Sequence, residues 1–161
     1  MPILIRDYQS ADQSPLRDLA LASFAQYKDL YHPWEEFQAK VAGWTSLAES
    51  AELIVAEDQG VPVGAVAFVP PLASPGGHFP KDWAAFRMLI VDPKARGKGI
   101  GKQLTLECIQ RARDQNGSTI GLHTSPVMAV ALAMYLKLGF CLDRDIEPIY
   151  QVPYSVYRLD I

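Results

Sequence analysis

The sequence predicts a mixed α/β domain, in which one sheet carries helices on both of its faces. Three observations point there. The chain has 161 residues, enough to bury a core and few enough for a single domain over residues 1–161. Its strand-like and helix-like segments follow one another as β-α-α-β-β-β-α-β-α-β-β. That order is neither a strict βαβ alternation nor all-β, so helices must cover a mixed sheet.

Ile3, Ile5 and Asp7, alternating with Leu4 and Arg6, form a short opening strand. Ser14-Pro15 reads as an N-cap followed by a first helical residue. Leu16, Leu19, Ala20, Ser23 and Phe24 then recur at helical spacing, giving a helix to about Tyr27. After residues 28–33 a second helix starts at Trp34, with Phe37, Val41 and Trp44 as its apolar stripe. Residues 53–56 and 63–69 are strands joined across Asp58-Gln59-Gly60, a hairpin signal. Residues 70–77 hold three prolines and two glycines and form a loop.

A fourth strand covers residues 86–91 and ends at Asp92-Pro93. A helix over 100–114 places Ile100, Leu104, Cys108, Ile109 and Ala112 on one face, and Asn116-Gly117 stops it. Residues 119–124 form a fifth strand. Ser125-Pro126 caps a helix that runs through Leu138 to Gly139, and residues 140–142 and 155–159 are two final strands.

Composition narrows the function. Hydrophobic residues make up 49% and charged residues 20%, as in ordinary soluble domains. A net charge of −3 gives no bulk attraction for nucleic acid. Cys108 and Cys141 make neither a disulfide framework nor a CxxC metal pattern, so reduced thiols, no metal and a cytoplasmic location are expected. The start, Met1-Pro2-Ile3-Leu4-Ile5-Arg6, reaches charge too soon for the apolar core of a signal peptide. No stretch reaches the roughly 18 apolar residues of a membrane helix, and no membrane partner is expected.

The sharpest local signal is Asp92-Pro93-Lys94-Ala95-Arg96-Gly97-Lys98-Gly99-Ile100-Gly101-Lys102, a strand end, a glycine-rich turn and a helix start. Free N–H groups at a helix start converge on one spot and, with the helix dipole, favour an anion. Arg96, Lys98 and Lys102 add positive charge there. The nucleotide P-loop pattern fails because Gln103 follows Gly101-Lys102 and Arg96 replaces the first glycine. The dinucleotide pattern G-x-G-x-x-G fails in both frames, with Lys102 or Leu104 at its third glycine.

Arg96-Gly97-Lys98-Gly99-Ile100-Gly101 instead resembles the [Q/R]-x-x-G-x-[G/A] signature of the GCN5-related N-acetyltransferases, the GNAT family. Upstream, Met88-Leu89-Ile90-Val91-Asp92-Pro93 is similar to that family's fourth strand. Downstream, Ala131-Leu132-Ala133-Met134-Tyr135-Leu136-Lys137-Leu138-Gly139-Phe140 is similar to its A-x-x-x-Y-x-x-x-G-F helix and strand. The resemblance implies a mostly antiparallel sheet of about seven strands, four helices on both faces, and splayed fourth and fifth strands. It also implies acetyl-coenzyme A as co-substrate. Arg96, Gly97, Lys98, Gly99, Ile100, Gly101 and Lys102 would hold its pyrophosphate, and the backbone of Leu89, Ile90 and Val91 would pair with its pantetheine arm. A backbone N–H there would polarise the thioester carbonyl. One departure is clear: an asparagine common seven residues before the helix tyrosine is Met128 here.

Acetyl transfer to an amine needs a neutral nucleophile, a stabilised oxyanion and a proton for the leaving thiolate. The resemblance makes Tyr135 the candidate general acid, against a packed helix tyrosine. His123 is the candidate base, on the strand face shared with Gly121 and Ser125, against a structural histidine. The segment Tyr27-Lys28-Asp29-Leu30-Tyr31-His32-Pro33-Trp34 either sorts acceptors or packs the core. Arg144-Asp145-Ile146-Glu147 reads as an exposed charged loop and a second candidate for the acceptor wall. Cys108 belongs to the core. The expected partner is a small-molecule or peptide amine, and a homodimer is compatible with the sequence. A non-catalytic acyl-coenzyme A binder is the competing reading.

Overall fold

The computed structural model describes residues 2–73 and 77–161. Seven strands, β1 (Leu4–Asp7), β2 (Glu52–Asp58), β3 (Val61–Val69), β4 (Ala84–Val91), β5 (Thr119–Thr124), β6 (Cys141–Ile149) and β7 (Val152–Asp160), form one sheet in the order β1-β2-β3-β4-β5-β7-β6. Every neighbouring pair is antiparallel except β4 and β5, which run parallel. Among the described residues four α-helices accompany the sheet: α1 (Gln13–Phe24), α2 (Trp34–Ala42), α3 (Ile100–Asp114) and α4 (Ala129–Lys137).

Side-chain alternation along the strands sorts the core into two layers. Ile54, Val66, Phe68 and Phe86 face Ile100, Leu104 and Cys108 of α3 and Tyr135 of α4. Leu53, Val55, Ala65 and Ala67 face Leu16, Leu19 and Phe24 of α1, and Phe37 and Val41 of α2. The helices therefore lie on both faces, as the element order requires. Gly64 sets how closely α3 can approach: a Cβ there would lie 2.8 Å from Ile100 Cγ2 and 3.1 Å from the Ile90 carbonyl oxygen.

Several boundaries differ from the sequence expectation. The N-cap position of α1 is Asp12, and Pro15 is its third residue, where its missing N–H has no intrahelical acceptor to lose. Asp12 is instead held by Arg6 at 2.8 Å and by the Gln9 N–H at 2.8 Å. Trp44 lies outside α2, in a 3₁₀ turn over Trp44–Glu49. Ser125-Pro126 does not open α4. The Ser125 hydroxyl and carbonyl accept the Val127 and Met128 N–H groups in a turn that precedes the helix at Ala129. In the loop expected over residues 70–77, residues 70–73 carry neither helix nor strand, and 74–76 lie outside the described residues.

The largest correction concerns the C-terminal strands. Arg144, Asp145, Ile146 and Glu147 are not a loop but part of β6, an edge strand of nine residues. Its charges and Pro148 discourage pairing with another chain at this edge. The reversal to β7 is made by Tyr150 and Gln151, both with positive φ (47° and 69°).

Replacing Gly64 with Ala is expected to push α3 off the sheet and lower stability by about 1–3 kcal/mol, as overpacking does. Thermal melting checks this. A fall of several degrees is expected at roughly 2–4 °C per kcal/mol for a domain of this size. An unchanged melting temperature would show that α3 has room to spare.

Candidate active site

The sheet opens where β4 meets β5. Only Ala84 with Ile120 and Ala85 with Gly121 are paired, so the remainder of β4 has no partner on the β5 side. On its other side β4 stays with β3 but carries a bulge. Ala65 opposes Ile90 and Ala67 opposes Arg87, leaving Val66 alone against Met88 and Leu89. Met88 takes the extra residue at φ 55°, and its carbonyl accepts the Trp44 indole N–H at 2.9 Å. A bulge re-aims the residues around it, here Leu89, Ile90 and Val91 at the mouth of the opening.

The glycine-rich turn closes one end of this cleft. Gly97 (φ 81°) and Gly99 (φ 75°) adopt left-handed backbone, and a Cβ at either would meet no atom within 4 Å. The turn is thus shaped by backbone conformation and bordered by open space. In α3 the first bond runs from the Gln103 N–H to the Gly99 carbonyl, so the N–H groups of Ile100, Gly101 and Lys102 precede any intrahelical acceptor. Lys98 is exposed beside them and Lys102 lines the adjoining groove, whereas the Arg96 guanidinium donates to the Ser23 carbonyl at 3.3 Å and ties the turn to α1. That groove, about 630 Å³, is lined by Lys102, Val130, Ala133, Met134 and Lys137. The combination fits a phosphate ligand with an extended arm: donors and positive charge at one end, an unpaired strand edge beyond. A second depression, bordered by Asp7, Glu52 and Arg111, lies elsewhere, and Arg111 is already paired there with both acids and with Glu107.

Tyr135 is buried beneath the opening, its ring 5.8 Å from Phe86 and 5.9 Å from Phe140. Burial pushes its hydroxyl above the usual tyrosine range and keeps it protonated at neutral pH. His123 stands on the opposite face of the sheet, between the Phe79 ring at 5.9 Å and the Tyr154 ring at 5.5 Å, with His78 at 6.0 Å. Burial first, then the charges of Arg87 and His78, pull its pKa down to about 4, leaving a neutral imidazole.

The aromatic segment between α1 and α2 mostly packs the core. Tyr31 is fully buried, stacks on Phe37 at 3.9 Å, and its hydroxyl bonds to that of Tyr154. Asp29 is exposed. Cys108 is buried, with its thiol pushed up by desolvation, and Cys141 is exposed. Among the described residues no three of His, Cys, Asp and Glu gather as metal ligands, and no helix is long and apolar enough to cross a membrane. Arg87, Met88 and Phe79 stand beside the opening and were not among the residues singled out from the sequence. An arginine inside an otherwise apolar strand was the available signal.

Residues 14–140 match the acetyltransferase (GNAT) family. N-acetyltransferase 8F1 of Mus musculus is 38% identical over 116 residues, 67% of this chain and 51% of that protein. The chain thus spans about half the length of such curated relatives. The crystal structure of the PaiA N-acetyltransferase from Thermoplasma acidophilum, in complex with coenzyme A, superposes with a TM-score of 0.73 at 18% identity, covering 100% of both chains. A GNAT family acetyltransferase from Brucella melitensis, in complex with acetyl-CoA, gives 0.69 at 22% identity, covering 99% of this chain and 88% of that one.

The enclosed ring of His123 yields a direct test. Its proton is expected to titrate near pH 4 by NMR instead of near 6.5. The unfolded chain then binds the extra proton in that window, so His123 makes stability fall as pH drops from about 6.5 towards 4. A midpoint near 6.5 would place the ring in water and remove the effect.

Proposed function

The chain belongs to the acetyltransferase (GNAT) family, and on that premise we propose that it transfers the acetyl group of acetyl-coenzyme A to an amine. The observation that carries the reading is the join of two features at one cleft. Free backbone N–H groups and lysines stand at the start of α3, and an unpaired strand edge runs from there towards Tyr135. Gly97, Gly99, Ile100, Gly101, Lys98 and Lys102 would take the pyrophosphate, with Arg96 fixing the turn against α1. The backbone of Leu89, Ile90 and Val91 would pair with the pantetheine arm, and an N–H at the bulge would bond the thioester oxygen.

Direct attack in a ternary complex needs little more from the protein. The nitrogen of the amine forms a bond to the acetyl carbon as the bond from that carbon to sulfur breaks. His123, neutral and on the acceptor face, would accept a hydrogen bond from the amine nitrogen or its bound water. Its pKa of about 4 makes it a weak base, so it would take up the proton only as the new bond makes that nitrogen strongly acidic. Tyr135 would hold its phenolic proton for the departing sulfur. Buried ring contacts fix it in place, so it needs no reorganisation.

Two experiments address the two ends of the cleft. Gly99→Asp puts a carboxylate at the anion site and also strains a left-handed backbone, whereas Gly99→Ala adds the strain alone. Calorimetry with acetyl-coenzyme A is expected to show far weaker binding to the Asp variant than to the Ala variant. Equal affinities would remove the phosphate from this turn. Tyr135→Phe is expected to lower kcat on the order of a hundredfold, the usual worth of a general acid, with the cofactor dissociation constant unchanged. Normal kcat with intact affinity would take Tyr135 out of the chemistry. Cofactor binding without any amine-dependent thiol release would favour a non-catalytic binder.

A further inference from the structure

On the acceptor side of the cleft stands Arg87, which has no ion-pair partner among the described residues. Arg87 lies two residues beyond Ala85, and His123 two beyond Gly121, the last residues that pair across β4 and β5. Residues two apart share a face, so Arg87 and His123 stand on either side of the opening on its α1–α2 side. Arg87 opposes Ala67, which packs in that same layer.

Arg87 is half-buried, yet among the described residues the ion pairs engage Arg6, Arg111, Arg144 and Arg158 instead. Several carboxylates of the C-terminal strands and of α2 already have partners. Asp143 and Asp160 are bonded to Arg158, and Glu36 accepts from the Tyr150 hydroxyl. Asp145 is bonded to Ser155. His123 and His78, which face each other at 6.0 Å near Arg87, bring no negative charge. The guanidinium's fork of donors matches a carboxylate with two parallel bonds.

We propose that Arg87 recognises a carboxylate on the acceptor, so that the acceptor is a small amino acid or a close analogue. This rests on the acetyl-transfer reading of the cleft. The reacting nitrogen must reach a thioester held beside Leu89 and Ile90, and Arg87 precedes them on the same strand across the bulge. An acceptor with its amine and carboxylate close together suits that arrangement. A peptide N-terminus has an amide where the carboxylate should be, and a polyamine would place a second cation beside Arg87.

Thiol release from acetyl-coenzyme A, measured with free amino acids and with their matched carboxamides, tests the assignment. The acids are expected to be preferred on the order of 10- to 100-fold in kcat/KM, the worth of a charge-assisted bond. Arg87→Ala should abolish that preference mainly through KM, and Arg87→Lys should restore part of it. Where Arg87→Ala melts early, Arg87→Gln, which keeps the stem of the side chain, serves for the same comparison. Calorimetry of N-acetyl amino acids against their amides, with coenzyme A present, reads the site without turnover. Binding lost in the Arg87 variant but no thiol release from any amine would leave the carboxylate site standing and overturn acetyl transfer. Amides used as well as acids, a preference that survives loss of Arg87, or absence of both binding and turnover would overturn the carboxylate assignment.

Discussion

The two-residue length of the pairing between β4 and β5 is the constraint on which the rest of the molecule depends. Parallel strands that stay together form a closed surface. Here pairing stops after Ala85 and Gly121, and the strands continue apart. The bulge at Met88 and Leu89 accompanies the separation by turning β4 while its bonds to β3 persist. Trp44 accepts part of the consequence, since its indole bonds the carbonyl that the bulge displaces. The 3₁₀ turn after α2 is therefore coupled to the shape of the cleft.

An open sheet would be weak without bridges, and each face supplies one. On the α3–α4 side Phe86, Tyr135 and Phe140 pack edge to face across the gap. On the α1–α2 side the Tyr31 and Tyr154 hydroxyls bond, and the His32 N–H donates to the Tyr150 carbonyl at 3.0 Å. These bridges make two demands on the same residues. Tyr135 is a structural tie as well as the proposed acid. Removing its ring would damage the fold, while removing its oxygen leaves the aromatic packing intact.

Much of this was legible in the sequence, for local reasons. The glycine turn could be read because left-handed backbone and phosphate access both select glycine. Gln59-Gly60 could be read as a hairpin for the same cause. The β6–β7 hairpin could not, because Tyr150 and Gln151 are ordinary residues held at positive φ by distant partners. Tyr150 packs on Phe37 at 5.3 Å, its hydroxyl reaches Glu36, and Lys40 lies over its ring. The helix start at Ala129 was obscured in a similar way, since a Ser-Pro pair serves equally for a cap and for a turn. Among the site residues, Tyr135 and the turn came from pattern. The relation of His123 to Arg87 came only from strand register, which no single strand reveals.

The seam has one more property, which concerns cooperativity. It divides the strands of the sheet by chain order: β1 to β4 lie on one side and β5, β7 and β6 on the other. Each half is thus a contiguous segment with its own strand pairing, the arrangement in which proteins open as separate units. The C-terminal unit of β5, α4, β6 and β7 can loosen by releasing the aromatic trio, the tyrosine bridge, the Tyr150 contacts with α2, and the contacts of Phe79 with His123 and of Trp83 with Arg158. Amide protons of β5 and β7 would then exchange together, and earlier than those of β2 and β3. A ligand that spans the seam acts as a splint between two foldons.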